Sequence, residues 1–209
     1  MPKHLRENSM SAGPSLDLGC GSQKRPGAVG VDIVPFPGVD LVADLNRFPY
    51  PFKDNAFSRI VLSHVIEHLA DVVAVMEEVY RIAKPGATVE VLTPHYTDNH
   101  SWGDPTHRWH LNTRSFDQFR DDLSDGRRRY SRARFRVECE VRLCNLGRWC
   151  GIQRLVNSRR PRLRWVRQLW ERQFSFLLRG SEMRFRMVVV KQGEGMEQSA
   201  PPRGRFPRA

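Results

Sequence analysis

Leu16-Asp17-Leu18-Gly19-Cys20-Gly21 decides how the chain is read: an apolar run of strand character that ends in a Gly-x-Gly turn. Glycines at 19 and 21 remove the side chains that would keep a ligand off the backbone. The next apolar run, Val29-Gly30-Val31-Asp32, ends on a carboxylate able to accept both hydroxyls of a ribose, and Val39 to Leu45 carries a second acid, Asp44, near its end. Strand-end acids beside a glycine turn outline a nucleoside site. Only seven residues, Ser22 to Ala28, separate Gly21 from Val29, and Pro26-Gly27 marks a turn within them. That is too short for the helix that normally joins two parallel strands, so the first crossover is expected as a shortened loop. With no third glycine and no helix N-terminus to cradle a pyrophosphate, the ligand need not carry phosphate.

Downstream, Phe57 to Ser63 is almost continuously apolar, the mark of a parallel strand buried on both faces. Asp71 is placed to cap a helix running to about Ala83, with Val72, Val75, Met76, Val79 and Ile82 on one side, and Lys84-Pro85-Gly86 stops it. Ala87 to Thr93 supplies a fifth strand. These elements predict an α/β fold built on a doubly wound, mostly parallel sheet. Residues 94–112 form a long polar connection whose two tryptophans argue against disorder. Ser115 and Gln118 predict a capping box for a helix carrying Phe116, Phe119 and Leu123, and the alternation from Arg134 to Leu143 predicts a strand. From Leu163 to Leu178, Trp165, Val166, Leu169, Trp170, Phe174 and Leu177 recur at helical spacing among arginines. This helix is expected as an internal lid or packing element in preference to a membrane-surface helix. Met183 to Lys191 is the last strand. The expected organisation is a flexible arm over 1–14, one domain over 15–191 with an acceptor-binding loop and Arg-rich cap over 94–180, and a disordered tail over 192–209.

Composition sets the bounds. With 40% hydrophobic and 27% charged residues in 209, the chain reads as an ordinary folded domain. No run approaches the roughly 18 apolar residues of a membrane span, and the polar start lacks a signal peptide's apolar segment, so a cytoplasmic location is expected. Four cysteines without a C-x-x-C pair suggest reduced thiols and no zinc knuckle. The net charge of +11 is uneven: residues 1–100 hold 9 basic against 12 acidic side chains, and residues 101–209 hold 25 against 11. Such a basic half could face nucleic acid, anionic lipid or an acidic substrate, or could simply be solvated by arginine.

Taken in order, these motifs resemble the class I S-adenosylmethionine-dependent methyltransferases over roughly residues 15–120. The first strand and its turn look like the family's first motif, Asp32 like its ribose-binding acid, Asp44-Leu45 like the adenine-edge position, and His64 to Leu69 like the segment after strand four. The 13 positions from Gly19 to Asp32 are shorter than usual, which is similar to a subgroup of small bacterial methyltransferases often associated with polysaccharide or secondary-metabolite pathways. The resemblance implies a Rossmann-like fold and S-adenosyl-L-methionine as cofactor. It places Gly19 and Gly21 against the methionine part, Asp17 near its amino group, Asp32 on the ribose, Asp44 and Leu45 around adenine, and the Ser63-His64 backbone beside the carboxypropyl chain.

Six of the seven histidines fall between residues 64 and 110, in segments that leave one edge of the predicted sheet. Imidazole titrates near neutrality and suits removal of a proton from an oxygen or nitrogen acceptor. His107 is the first expectation for that base and His68 the second, with Glu67 or Asp104 orienting it. The expected acceptor is a small molecule or a glycan. His64-x-x-Glu67-His68 with His107 also has the residue types of a divalent-cation site and resembles metal-dependent methyltransferases acting on the terminal ribose of small RNAs, although His64 stands where that pattern has a glutamate. RNA is therefore the second acceptor class, a non-catalytic cofactor-binding partner is a further alternative, and no metal is assigned.

Overall fold

Strand pairing is parallel through the first five strands and antiparallel at the last two. The computed structural model describes residues 13–122 and 131–191. Its strands are β1 (Ser15–Leu18), β2 (Ala28–Asp32), β3 (Leu41–Val42), β4 (Phe57–Ser63), β5 (Ala83–Pro94), β6 (Phe135–Leu143) and β7 (Gly180–Val189). They form one sheet in the order β3-β2-β1-β4-β5-β7-β6. The chain winds outward from β1 in one direction and then, from β4, in the other, as the doubly wound reading requires. The reversal lies between β1 and β4, the place where such sheets open a ligand crevice.

The shortened first crossover is present as a loop: no helix intervenes between β1 and β2, nor between β2 and β3. Asp40 replaces some of the missing support, accepting Gly30 N–H at 2.7 Å and Lys24 Nζ at 2.8 Å, contacts that hold its carboxyl below the usual range. The crossover from β4 to β5 does carry a helix, α1 (Val72–Ile82), which begins where Asp71 accepts Ala74 N–H. Its Val75, Met76, Val79 and Ile82 are fully buried. Register places Leu16, Leu18, Ile60, Leu62, Val89, Val91 and Phe185 on one side of the sheet, all inaccessible to solvent or nearly so. Phe116 stacks edge-on to Phe185 on that side and Phe119 edge-on to Phe135. The other face is charged, with Glu90 bridging Arg59 at 3.1 Å and Arg184 at 3.3 Å.

Several expected elements differ. β3 is two residues rather than seven, because the side chain of Asp40 ties the entry to β2 and Asp44 bends the exit by accepting Asn46 N–H. The helix expected after Ser115 is a single 3-10 turn, Asp117–Phe119: Ser115 Oγ accepts Asn112 N–H and so closes the preceding turn instead of capping. Leu123, the arm to residue 12 and the tail from residue 192 lie outside the described residues. Three short helices were not expected, α2 (Asn99–Gly103), α3 (Asn145–Trp149) and α4 (Ile152–Val156), and the helix expected from Leu163 to Leu178 is the shorter α5 (Arg164–Leu169), which runs into a wide π turn, Trp170–Phe174. The 163–178 stretch is thus broken, and only Trp170 of its apolar positions is a core residue; Trp165, Leu169, Phe174 and Leu177 are exposed. The four cysteines are free.

The cap is held by two polar devices. Asn157 pairs with both backbone groups of Val141, and Gln153 Oε1 accepts Leu143 N–H, so side chains finish the open edge of β6 as a further strand would. Glu171 reaches inward, bonding His95 Nε2 at 3.1 Å and accepting Thr113 Oγ1–H at 2.6 Å. Burial alone would raise its carboxyl, but the bonds from His95 and Thr113 outweigh it and hold Glu171 below the ordinary value. Its contribution is therefore present above the unfolded carboxyl range, near 4.5, and is lost as pH falls through the lowered folded value. Replacing Glu171 by Ala removes the partner of buried His95 Nε2 and of Thr113 Oγ1, and a loss of about 2–4 kcal/mol in chemical denaturation is expected. The wild type should also lose more stability than the variant between pH 6 and pH 3, about the carboxylate titration window; parallel pH profiles would refute the assignment.

Candidate active site

The turn after β1 and the exit from β4 meet at the sheet reversal. Gly19 has φ +69°, and a Cβ there would lie 2.4 Å from Val65 Cγ2, so the residue must be glycine for the two loops to touch. Gly21 differs: at φ +55° a Cβ would meet no protein atom within 4 Å. The backbone at Gly21 therefore faces open space. Asp32 closes this hollow from β2, accepting Gly21 N–H at 2.8 Å and Val34 N–H at 3.0 Å. Asp17 is 3% exposed; burial pushes its carboxyl up, while Arg25 N–H, donated at 2.9 Å, pulls the other way. In this arrangement Asp17 fastens the short crossover under the turn. Asp44 and Leu45 line a cavity of about 330 Å³ with Tyr50 and Phe52, where Leu45 is itself buried and its carbonyl accepts the Tyr50 hydroxyl. Gly21, Asp32 and the Asp44 cavity are the groups that could hold a nucleoside cofactor, on the observation that Gly21 leaves room for one.

A second, larger cavity of about 1160 Å³ opens where β4, β5 and β6 end and β7 begins. His64, Glu67, His68 and His107 line it. His64 follows β4 directly and has φ +53°, a left-handed conformation that costs a non-glycine residue about 1–2 kcal/mol. Its N–H donates to Leu92 at 2.9 Å, and its ring lies between Glu67, at 3.6 Å, and Glu182, at 3.3 Å. The contact with Glu67 foremost, against the opposing effect of burial, keeps the imidazole above its ordinary pKa.

The long connection is sewn onto this edge. Arg108 and Trp109 both donate their backbone N–H groups to the Glu67 carbonyl, at 2.8 and 3.2 Å, and Trp109 Nε1–H donates to Leu69 O. These bonds bring His107 to His68, ring centroids 4.6 Å apart. Asp104 accepts Thr106 Oγ1–H at 2.6 Å, and His68 Nδ1 lies 2.9 Å from that same hydroxyl oxygen. The hydroxyl's proton is committed to Asp104, so His68 Nδ1–H is the donor and Nε2 keeps its lone pair. The Thr106 bonds hold the Asp104 carboxyl below its usual range. His107 Nδ1 lies 3.0 Å from Ser101 O, which likewise leaves Nε2 as the basic nitrogen. Glu67 is 1% exposed and both carboxylate oxygens lack a hydrogen bond. One ligand atom each from Glu67, His68 and His107 lies within 4.8 Å of the others, a spacing that could also hold a metal ion.

The structure thus brings Glu67, His68, Asp104 and His107 together, and Ser63 and His64 lie at the end of β4, the strand that pairs with β1. His95 belongs instead to the core, and His110 stacks on Trp102 with its Nδ1 3.0 Å from Ser101 Oγ. Thr106 and Glu182 were missed. Asp104-Pro105-Thr106 does carry a signal, since Asp commonly accepts the backbone N–H two residues on, as Asp104 does at 2.8 Å; nothing local marks Glu182.

A family profile described as a methyltransferase domain matches residues 4–138. Among solved structures, a SAM-dependent methyltransferase from Archaeoglobus fulgidus is similar at 17% identity over 85% of this chain and 86% of that one, with a TM-score of 0.57. YcgJ of Bacillus subtilis is similar at 12% identity over 87% and 93%, with a TM-score of 0.54. Haemonchus contortus phosphoethanolamine N-methyltransferase 2, solved with S-adenosyl-L-methionine, aligns at 17% identity over 88% of this chain and 50% of its own, with a TM-score of 0.51. At such identities the likeness is one of fold. No curated protein matches the chain.

The two glycines are separable by stability. Gly19→Ala is expected to cost about 2–4 kcal/mol in thermal or denaturant unfolding, since the methyl strikes Val65. Gly21→Ala should cost only about 1 kcal/mol, the left-handed backbone alone; equal losses would mean that Gly21 too is closed in by protein.

Proposed function

The chain belongs to the methyltransferase-domain family, and on that premise we propose that it transfers a methyl group from S-adenosyl-L-methionine to an oxygen or nitrogen of a small-molecule or glycan acceptor. The observation that carries this reading is the basic Nε2 of His68, held by the Asp104–Thr106 relay at the wall of the 1160 Å³ cavity. A cavity of that size accommodates a metabolite or a sugar unit.

Bound S-adenosylmethionine supplies an electrophilic methyl group. Gly21, with open space before it, and Asp32, at the end of β2, would seat the nucleoside and its amino-acid arm, and the Asp44 cavity would take adenine. His64 lines the larger cavity at the end of β4. An acceptor in the larger cavity is positioned by the loop that Glu67 O anchors, and positioning is a large part of a displacement reaction's rate. His68 Nε2 takes the acceptor proton, and the charge gained on its ring is stabilised through Thr106 by Asp104, which stays ionised. His68 thereby stands ahead of His107, whose Nδ1 is bound to a neutral carbonyl.

A second reading is favoured by one observation: the buried Glu67 carboxylate, whose oxygens lack a hydrogen bond, offers one ligand atom within 4.8 Å of those of His68 and His107. A divalent cation held by these three would polarise an acceptor hydroxyl, as in a metal-assisted transfer to ribose.

Gly21→Ala should weaken S-adenosylmethionine binding by about tenfold or more in titration calorimetry while the fold is retained. Thr106→Val should leave that binding unchanged and lower S-adenosylhomocysteine production by roughly 10²-fold against an acceptor panel. Turnover that survives exhaustive chelation but falls in Thr106→Val supports the base. Turnover abolished by chelation and restored by a divalent metal supports the second reading, and cofactor binding indifferent to Gly21→Ala would contradict both.

A further inference from the structure

Residues 145–179, from α3 through α5 to the start of β7, contain nine arginines and a single acid. That acid, Glu171, is turned inward to His95 and Thr113. Eight of the arginines are exposed, while Arg167 folds onto Val156 O. Large apolar side chains stand among them with little over them: Trp149 is 87% exposed, Phe176 and Leu177 73%, Trp165 58% and Leu146 55%. Exposed apolar groups are ordinary when scattered, but here they share one short stretch whose helices pack on one another, α3 on α4 and α4 on α5.

We propose that this cap seats the enzyme on an anionic membrane surface. Guanidinium groups would bind headgroup phosphates, while tryptophan, phenylalanine and leucine side chains would enter the boundary with the acyl chains, the combination that makes interfacial binding both charge- and area-dependent. Charge complementarity selects this occupant. A second copy would present the same excess of arginine, only partly offset where Arg159 meets Glu138 and Glu140, and be repelled. Nucleic acid would satisfy the arginines and stack on the tryptophans, but Leu146, Leu155, Leu169 and Leu177 gain nothing from phosphates or bases, whereas a lipid surface uses all three classes. No helix among the described residues is long and apolar enough to cross a membrane, so the contact would be peripheral. Arg148 lines the 1160 Å³ cavity as well as belonging to the cap, so a seated enzyme would open that cavity beside the lipid surface.

The test is sedimentation of the full chain with vesicles of phosphatidylcholine alone and with about one-third phosphatidylglycerol, at about 0.1 M salt, together with tryptophan emission. The expected result is binding to the anionic vesicles only, with a blue shift. Trp149→Ser combined with Leu177→Ser should reduce partitioning by roughly tenfold or more, with the circular dichroism spectrum unchanged. Should that pair disturb folding, Leu146→Ser with Trp165→Ser removes apolar area from the same cap and should give the same loss. Failure to bind anionic vesicles would overturn the proposal. So would vesicle binding that a correctly folded apolar variant leaves unchanged, or a single-stranded RNA that displaces the chain from vesicles and binds the apolar variants equally well.

Discussion

Gly19 against Val65 is the contact on which the arrangement rests. The sheet reverses direction between β1 and β4, and both loops must leave that point without colliding. A methyl at position 19 would be 2.4 Å from Val65 Cγ2, so the approach depends on the absence of a side chain. Once it is made, the backbone runs on to Gly21 and its hollow on one side and to His64, Glu67 and His68 on the other. The Gly21 turn and the histidine-bearing segment after β4 are thus neighbours because two loops share one close contact.

The second requirement is that a long polar connection be held still over the sheet edge. Polar groups do this, since the segment has few apolar residues to bury. Glu67 O takes two backbone donors from Arg108 and Trp109, and Glu171 ties the cap to His95 and Thr113 beneath it. His64 accepts a left-handed backbone to place its ring between two carboxylates, local strain of the kind that collects at functional sites. The same edge leaves Glu67 with a buried carboxylate lacking a hydrogen bond, which is why a cation is a competing reading there.

Much of this was legible in the residues. The glycine turn, the strand-end acids and the missing first crossover helix follow from spacing, and α1 follows from an uninterrupted apolar stripe with a capping Asp. What was not legible depends on partners distant in sequence. Ser115 looks like a helix cap until Asn112 N–H claims its hydroxyl. His95 looks like one more site histidine until Glu171, 76 positions later, takes its Nε2 in the core. In the cap, Gly147 and Gly151 interrupt any helical period, so α3 and α4 leave no stripe, and the stripe visible from 163 onward is exposed because the chain widens into a π turn at Trp170. A period reports which residues share a face; it does not report what covers that face.

The most direct test is a crystal structure of the chain with S-adenosylhomocysteine. The account predicts density with the ribose beside Asp32, adenine in the cavity of Tyr50 and Phe52, and the thioether directed past His64 toward His68. Density that leaves the Gly21 hollow empty, or that turns the thioether away from the histidine-lined cavity, would contradict it.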